Sequence, residues 1–398
     1  MFNLGETCMK KSLIALAVLA AAGAASAQSS VTLGGILKEG VGRTSFSGTG
    51  TGSNTALIDG SSRMLISGTE DLGGGLAAFF QLDTRFRMDD GTAGATRVNS
   101  GNTFVGLRGG WGAFQAGQMD THYCTSVNDD IAGNGTAIAL QASSCGLQGF
   151  VNGSGGTGRS IAVTSRSQNT LRYVTPNLAG FTGQVSYSFN PYGSERAVTA
   201  TTSRGSAAQL GLNYDQGPLA VRFSYYRHTA TGGTVATTGD NAATGTAASQ
   251  RAYTLGAGWD FGVAKVGLTY DRSELRDLTA AASPSVAGVG TAQRSVWILP
   301  VTVPLGTGQL IGMYARAGDV KLGVGGTAAN TGAKMFSLGY NYPLSKRTSL
   351  GVSYTKLDNE SAAVYQLYTN NSLGNSGAAA IGAGADQSLV YLGLRHVF

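Results

Sequence analysis

The chain has 398 residues, of which 13% are charged, with 61 glycines, 7 prolines and a formal net charge of +6. That charge fraction is about half the usual quarter, which excludes a charge-rich disordered chain. The positive charges are dispersed, without the basic runs or aromatic–basic clusters of a nucleic-acid binder. Much Gly and little Pro suit many strands joined by small-residue loops.

The N-terminus reads as an export address. Lys10 and Lys11 form a basic start, Leu13 to Ala22 an apolar core, and Ala25-Ser26-Ala27 a small-residue cleavage site. Residues 1–27 are therefore expected to be a signal peptide, with Met9 as its start and 1–8 as an upstream extension. The apolar core falls short of the roughly twenty residues that span a bilayer. Cys8 precedes that core, which argues against a lipid anchor. In an oxidising compartment, Cys124 and Cys145 are a candidate disulfide within a Gly/Ser/Asn-rich stretch; two unpaired loop thiols are the alternative.

Beyond the leader, no stretch is apolar for eighteen residues, and period-two alternation recurs in blocks of about ten. In FTGQVSYSF, Phe181, Gly183, Val185, Tyr187 and Phe189 share one face, and Thr182, Gln184, Ser186 and Ser188 the other. LAVRFSYYR sets Leu219, Val221, Phe223 and Tyr225 against Ala220, Arg222, Ser224 and Tyr226. VAKVGLTYD sets Ala264, Val266, Leu268 and Tyr270 against Lys265, Gly267, Thr269 and Asp271. The chain ends in the same way: Val390, Leu392 and Leu394 alternate with Tyr391, Gly393 and Arg395 up to Phe398. A soluble sandwich also has one apolar face per strand, turned inward. Small polar residues on the other face suit a wet lumen instead, with the apolar face toward lipid, where a sheet must close to satisfy its backbone.

Spacing between blocks alternates too. Short turns are expected at 71–75, 108–112, 215–218, 260–262 and around 344–348, and long loops at 44–60, 120–166, 191–205, 229–249, 274–292, 318–332 and 357–386. The pattern predicts an all-β transmembrane antiparallel barrel of about sixteen strands over 28–398, with one elaborated end. Pro300 and Pro304 predict that the block 294–305 is short, bulged or ended at Pro304, because proline cannot donate to a ladder.

SRMLISGTEDLGGGLAAFFQLD (62–83) resembles the second and third strands of the general diffusion porins of Gram-negative bacteria, of neisserial and beta-proteobacterial type. VTLGG (31–35), FVGLRGGWGAFQAG (104–117), NTLRYVTPNLAGFTG (169–183), LGYNYPLSKRTSL (338–350) and LGLRHVF (392–398) extend the resemblance across the chain beyond its leader. It implies an outer-membrane channel with short periplasmic turns and long extracellular loops, passing small hydrophilic solutes and ions without a cofactor. It also implies a homotrimer among outer-membrane lipids, a third loop (120–166) folded into the pore, and Phe398 as the signal read by the barrel assembly machinery.

In a pore, wall charges matter most where it narrows. Alternation directs Arg63, Arg172, Arg222 and Lys265 into the lumen, with Lys38 and Arg85 as further candidates. Arg63 and Arg172 match the family's motif arginines; Asp129 and Asp130 are candidates for the acidic loop side of an eyelet, and ordinary solvated charges are the alternative. Where the family has an Arg after strand five this chain has Gln118, and Lys38 stands in a slot that is usually acidic. Weak anion preference is the expectation. GSGGTG (153–158) has no strand–helix context for nucleotide binding, and His122, His228 and His396 lack ligand spacing. A plugged barrel acting as an adhesin or structural protein, and a barrel hydrolase using His122 with Asp129 or Asp130, are the competing readings.

Overall fold

The computed structural model describes residues 30–47, 52–91, 99–124, 130–131, 135–138, 147, 166–191, 204–231, 249–278, 290–323, 326–363, 365, 367 and 382–398. The expected signal peptide, Asp129, Cys145 and the side chain of Cys124 lie outside this set.

One antiparallel sheet contains β1 (Ser30–Phe46), β2 (Gly52–Asp59), β3 (Arg63–Gly73), β4 (Leu76–Arg85), β5 (Thr103–Gly109), β6 (Gly112–Asp120), β7 (Arg166–Val174), β8 (Phe181–Ser188), β9 (Arg204–Gln216) and β10 (Leu219–Thr231). It continues through β11 (Ser249–Asp260), β12 (Lys265–Leu278), β13 (Gly290–Leu305), β14 (Gly308–Ala317), β15 (Val320–Leu322), β16 (Gly326–Ala328), β17 (Ala333–Pro343), β18 (Thr348–Asn359) and β19 (Gln387–Val397). β2 and β3 follow one another along the same side of β1, from Phe46↔Gly52 to Glu39↔Asp59 and then from Ile36↔Arg63 to Ser30↔Thr69. They are one wall strand broken at 60–62, where the Asp59 carboxylate accepts the backbone N–H groups of Ser61 and Ser62 at 2.8 and 3.1 Å. The hairpin β15–β16 is an appendage laid on β13. Sixteen wall strands remain, closed by β1 and β19 from Ile36↔Val397 to Phe46↔Gln387.

The expected tight turns fall between β3 and β4, β5 and β6, β9 and β10, β11 and β12, and β17 and β18, all at one end of the barrel. Two expectations need correction. The supposed loop 44–60 is mostly wall, since β1 runs to Phe46 and β2 starts at Gly52, and the uncounted long connection at the opposite, long-loop end is 86–102. The proline-bearing block is a full strand, Gly290–Leu305. Its ladder to β12 skips from Val266↔Val301 to Thr269↔Ile298, so the missing donor of Pro300 interrupts the pairing locally without ending the strand.

The two faces follow the alternation. Phe181, Val185, Leu255, Leu268, Trp297, Val352 and Leu392 are exposed on the outside, whereas Ser224, Thr269, Asp271, Ser273 and Thr355 are fully buried inside. Aromatic clusters mark the outer rims: Trp111, Phe114 and Tyr173 lie within 5.0–6.4 Å of one another near the short turns, and Tyr270 packs on Trp297 at 4.7 Å nearer the long loops. The interior is less uniformly polar than alternation suggested. Along β13, β14 and β17–β19, Ile298, Ile311, Met313, Met335, Leu357 and Leu389 point inward and are buried with loop residues Ile138, Leu147, Tyr365 and Leu367. This half of the lumen is a packed core, which burial of apolar area stabilises as in any domain.

Candidate functional site

The connection from β6 to β7 folds into the barrel, and wall strands from β9 round to β1 hold its described residues. At its start, the His122 N–H donates to Gln209 Oε1 at 3.2 Å, and the imidazole nitrogens lie 2.5 Å from Ser224 Oγ and 2.9 Å from Asn213 Oδ1. The Tyr123 hydroxyl donates to the buried Asp271 carboxylate on β12. Thr302 on β13 donates to the Ile131 carbonyl, and Ala137 N–H donates to Asn341 Oδ1 on β17 at 2.9 Å. Lys38 Nζ on β1 then donates to the Ile138 carbonyl at 2.8 Å, and Arg294 Nη2 to the Leu147 carbonyl at 3.1 Å. Polar groups buried in a low-dielectric interior need such partners, which fixes the loop's course.

Glycines in the wall make room for this loop. A Cβ at Gly351 would lie 2.5 Å from Ile138 Cγ2 and 3.0 Å from the Ala137 carbonyl carbon, and one at Gly211 would collide with the His122 ring. Glycine inside a strand is the sequence signal of a close approach. The contact residues themselves, Asn213, Arg294 and Asn341, carry no such signal.

These described loop residues line the wall from β9 round to β1, and the side from β3 to β7 carries the charges. Arg63, Arg85, Arg166 and Arg172 face inward there, with Asp83 and Asp120 among them. Arg85 pairs with Asp83 at 3.2 Å and Arg166 with Asp120 at 3.3 Å. Arg172 Nε approaches Met119 Sδ at 3.3 Å, and Arg63 makes no ion pair among the described residues. Its Nε is buried without a hydrogen-bond partner among the described residues. Among the described residues of this side, four guanidinium groups thus stand with two carboxylates.

The other sequence candidates sit elsewhere. Arg222 bridges Asp130 of the loop at 2.9 Å and Asp215 of the wall at 2.7 Å. Lys38 is covered by the loop it holds and faces Arg395 across the β1–β19 seam. Lys265 stands at the short-turn end, half exposed and paired with Asp260 at 3.3 Å. Gln118, in place of the family's arginine, uses its amide to bind the carbonyls of Ser100 and Gly101 at 2.9 and 2.8 Å, tying down the 86–102 connection. Arg166 and Arg294 escaped the sequence reading. The first begins a strand beside a long loop, and the second faces a loop whose path no local pattern reveals. His122 and Asp130 are separately engaged, by Ser224 and Asn213 and by Arg222.

The barrel has known relatives. A family model described as Gram-negative porin matches residues 13–362. The chain is similar to outer membrane porin protein 32 of Delftia acidovorans, 31% identical over 395 residues, covering 98% of this chain and 100% of that one. It is 33% identical over 243 residues to an outer membrane porin protein of Bordetella pertussis, covering 54% and 59% of the two chains. Among solved structures, an anion-selective porin from Comamonas acidovorans superposes with a TM-score of 0.69 at 26% identity, covering 93% of this chain and 100% of that one.

Proposed function

Given that this chain belongs to the Gram-negative porin family and forms an outer-membrane channel, we propose that small hydrophilic solutes pass between its inserted loop and the arginine wall, with weak preference for anions. The observation that carries this reading is the excess of guanidinium over carboxylate at Arg63, Arg85, Arg166 and Arg172, opposite a loop fixed to the far wall. Low-dielectric walls focus the field of such charges into the water between them, raising the local concentration of anions. Arg222 pairs with Asp130 where the inserted loop meets its own wall, and Lys265 acts at the mouth. No step of passive diffusion calls for a catalytic group or cofactor.

The assembled state belongs to the same proposal: a homotrimer in outer-membrane lipid, exported by residues 1–27 and inserted by assembly machinery that reads Phe398. The long loops face the outside and the short turns the periplasm. The anion selectivity of the Comamonas acidovorans porin supports the sign of the preference. Purified protein in a planar bilayer under a KCl gradient tests it. Stepwise openings with a reversal potential of anion-preferring sign are expected. Silent membranes would turn the reading to a plugged barrel, and a cation-preferring sign would reject the arginine wall as the filter.

A further inference from the structure

The outside of the barrel carries a second regularity. On six strands, a cation stands two residues nearer the long-loop end than an aromatic residue on the same outer face. These are Tyr225 and Arg227 on β10, Tyr253 and Arg251 on β11, Tyr270 and Arg272 on β12, Tyr314 and Arg316 on β14, Phe336 and Lys334 on β17, and Tyr354 and Lys356 on β18. Registers set Arg227 directly across from Arg251, and Arg316 across from Lys334. Like charges in direct cross-strand opposition are destabilising unless something neutralises them. Acids moderate two of these cations, since Glu274 stands across from Arg251 and Asp358 across from Lys334, although their ion pairs are with Arg276 and Lys356.

In the middle of this band is a cavity of about 400 Å³ whose lining includes Arg272, Gln293, Arg316, Lys321, Trp297 and Asp319. Gln293 accepts a hydrogen bond from Arg272 and holds that guanidinium in place. Asp319 does not neutralise the site by an ion pair; its carboxylate accepts the backbone N–H groups of Thr331 and Gly332 at 2.8 and 3.0 Å. Arg272, Arg316 and Lys321 make no ion pair among the described residues. The exposed Trp297 indole lies at the apolar edge of the cavity.

We propose that this cavity binds the phosphate-bearing headgroup of an outer-leaflet lipid, with Arg272, Arg316 and Lys321 on the phosphate and Trp297 against the upper acyl chains. Guanidinium groups match phosphate oxygens bidentately, and aromatic side chains above a lipid-facing belt sit at headgroup level. A freely diffusing phosphate would gain nothing from the apolar edge, whereas a lipid uses both parts of the site. The orientation rests on the porin reading above, in which the long loops face outside.

The test uses the detergent-purified full chain and native mass spectrometry, with lipid A bearing two phosphates, the same lipid without them, and inorganic phosphate. Retention of the phosphorylated lipid alone is expected. Arg272→Gln combined with Arg316→Gln and Lys321→Gln should lower the bound fraction at least about tenfold, since each replaces a charge-assisted contact. Single-channel conductance should stay unchanged in the same sample. Equal retention of the dephosphorylated lipid, or undiminished binding by the triple variant, would overturn the site. So would inorganic phosphate that competes as well as the lipid does. If the triple variant does not fold, the lipid comparison on the unaltered protein and Lys321→Gln in the exposed hairpin still decide the matter. Lost conductance of the unaltered protein would strike the porin reading instead.

Discussion

Gly35 and Phe398 exchange both of their backbone hydrogen bonds, N–H of Gly35 to the Phe398 carbonyl at 3.1 Å and N–H of Phe398 to the Gly35 carbonyl at 3.2 Å. The pair extends the β1–β19 seam by one rung beyond Ile36↔Val397, and the Phe398 ring lies over Gly35 where a side chain would stand. A Cβ there would also come within 2.6 Å of the Arg63 carbonyl oxygen. Gly35→Val should therefore block closure, leaving seam groups unpaired at several kcal/mol each in lipid. The expected result is loss of the compact, SDS-resistant species in unheated gels. Deleting Phe398 should weaken the same species while leaving Gly35 unstrained, and wild-type resistance in both variants would refute the seam account.

The arginine wall makes a quantitative demand on selectivity. Arg63→Glu with Arg172→Glu replaces two inward cations by two anions, so the reversal potential under a salt gradient should cross toward cation preference. Lys265→Glu makes the same kind of change at a half-exposed site already paired with Asp260, and should move it less. Screening over about 8 Å at physiological ionic strength weakens a charge at an open mouth more than one at a constriction. An equal shift from Lys265→Glu would place the filter at the periplasmic mouth.

Arg294 ties two inserted segments together. Its guanidinium donates to the Leu147 carbonyl and lies 4.8 Å over the Tyr365 ring. Arg294→Ala removes a charged hydrogen bond of about 1.5–3 kcal/mol and a cation–π contact of about 0.5–2 kcal/mol, set against relief of a buried charge. Single-channel records should then show more frequent partial closures with an unchanged fully open level. A quiet trace like that of the unaltered protein would mean the loop is held by its other anchors alone.

The wall was legible because its rules are local. Val390, Leu392 and Leu394 alternate with Tyr391 and Gly393, and lipid outside and water or loop inside impose that period directly. The short turns were legible from their glycines, such as Gly73, Gly74 and Gly75, all at positive φ. The β2–β3 break was not, since it depends on Asp59 capping two backbone groups rather than on a change of pattern. Nor was the packed half of the lumen, because Ile298, Ile311 and Met313 become core only through the distant Ile138 and Leu147. Arg63 and Arg172 could be given a face from parity. Which cations keep free guanidinium groups depended on neighbours across strands, and so did the engagement of Arg222 by Asp130.

His122 makes the loop anchor sensitive to acid. Burial holds its pKa down, from the ordinary 6.5 to about 4. The hydrogen bond with Asn213 works the other way, and the positive charges of Arg222 and Arg172 add to the lowering. Its hydrogen-bond partners Gln209, Asn213 and Ser224 are neutral, so none of the three compensates an imidazolium charge. The sign follows from linkage. With the loop detached, the ring takes a proton near pH 6.5; with the loop docked, it refuses one until about pH 4. The stabilisation is therefore whole above pH 6.5 and drains away as pH falls to 4, a loss of about 3 kcal/mol. Loop closures in single-channel records should rise over that window, and His122→Gln, which retains one donor and one acceptor, should flatten the dependence. The same rise in the variant would assign the acid response to a group other than the imidazole.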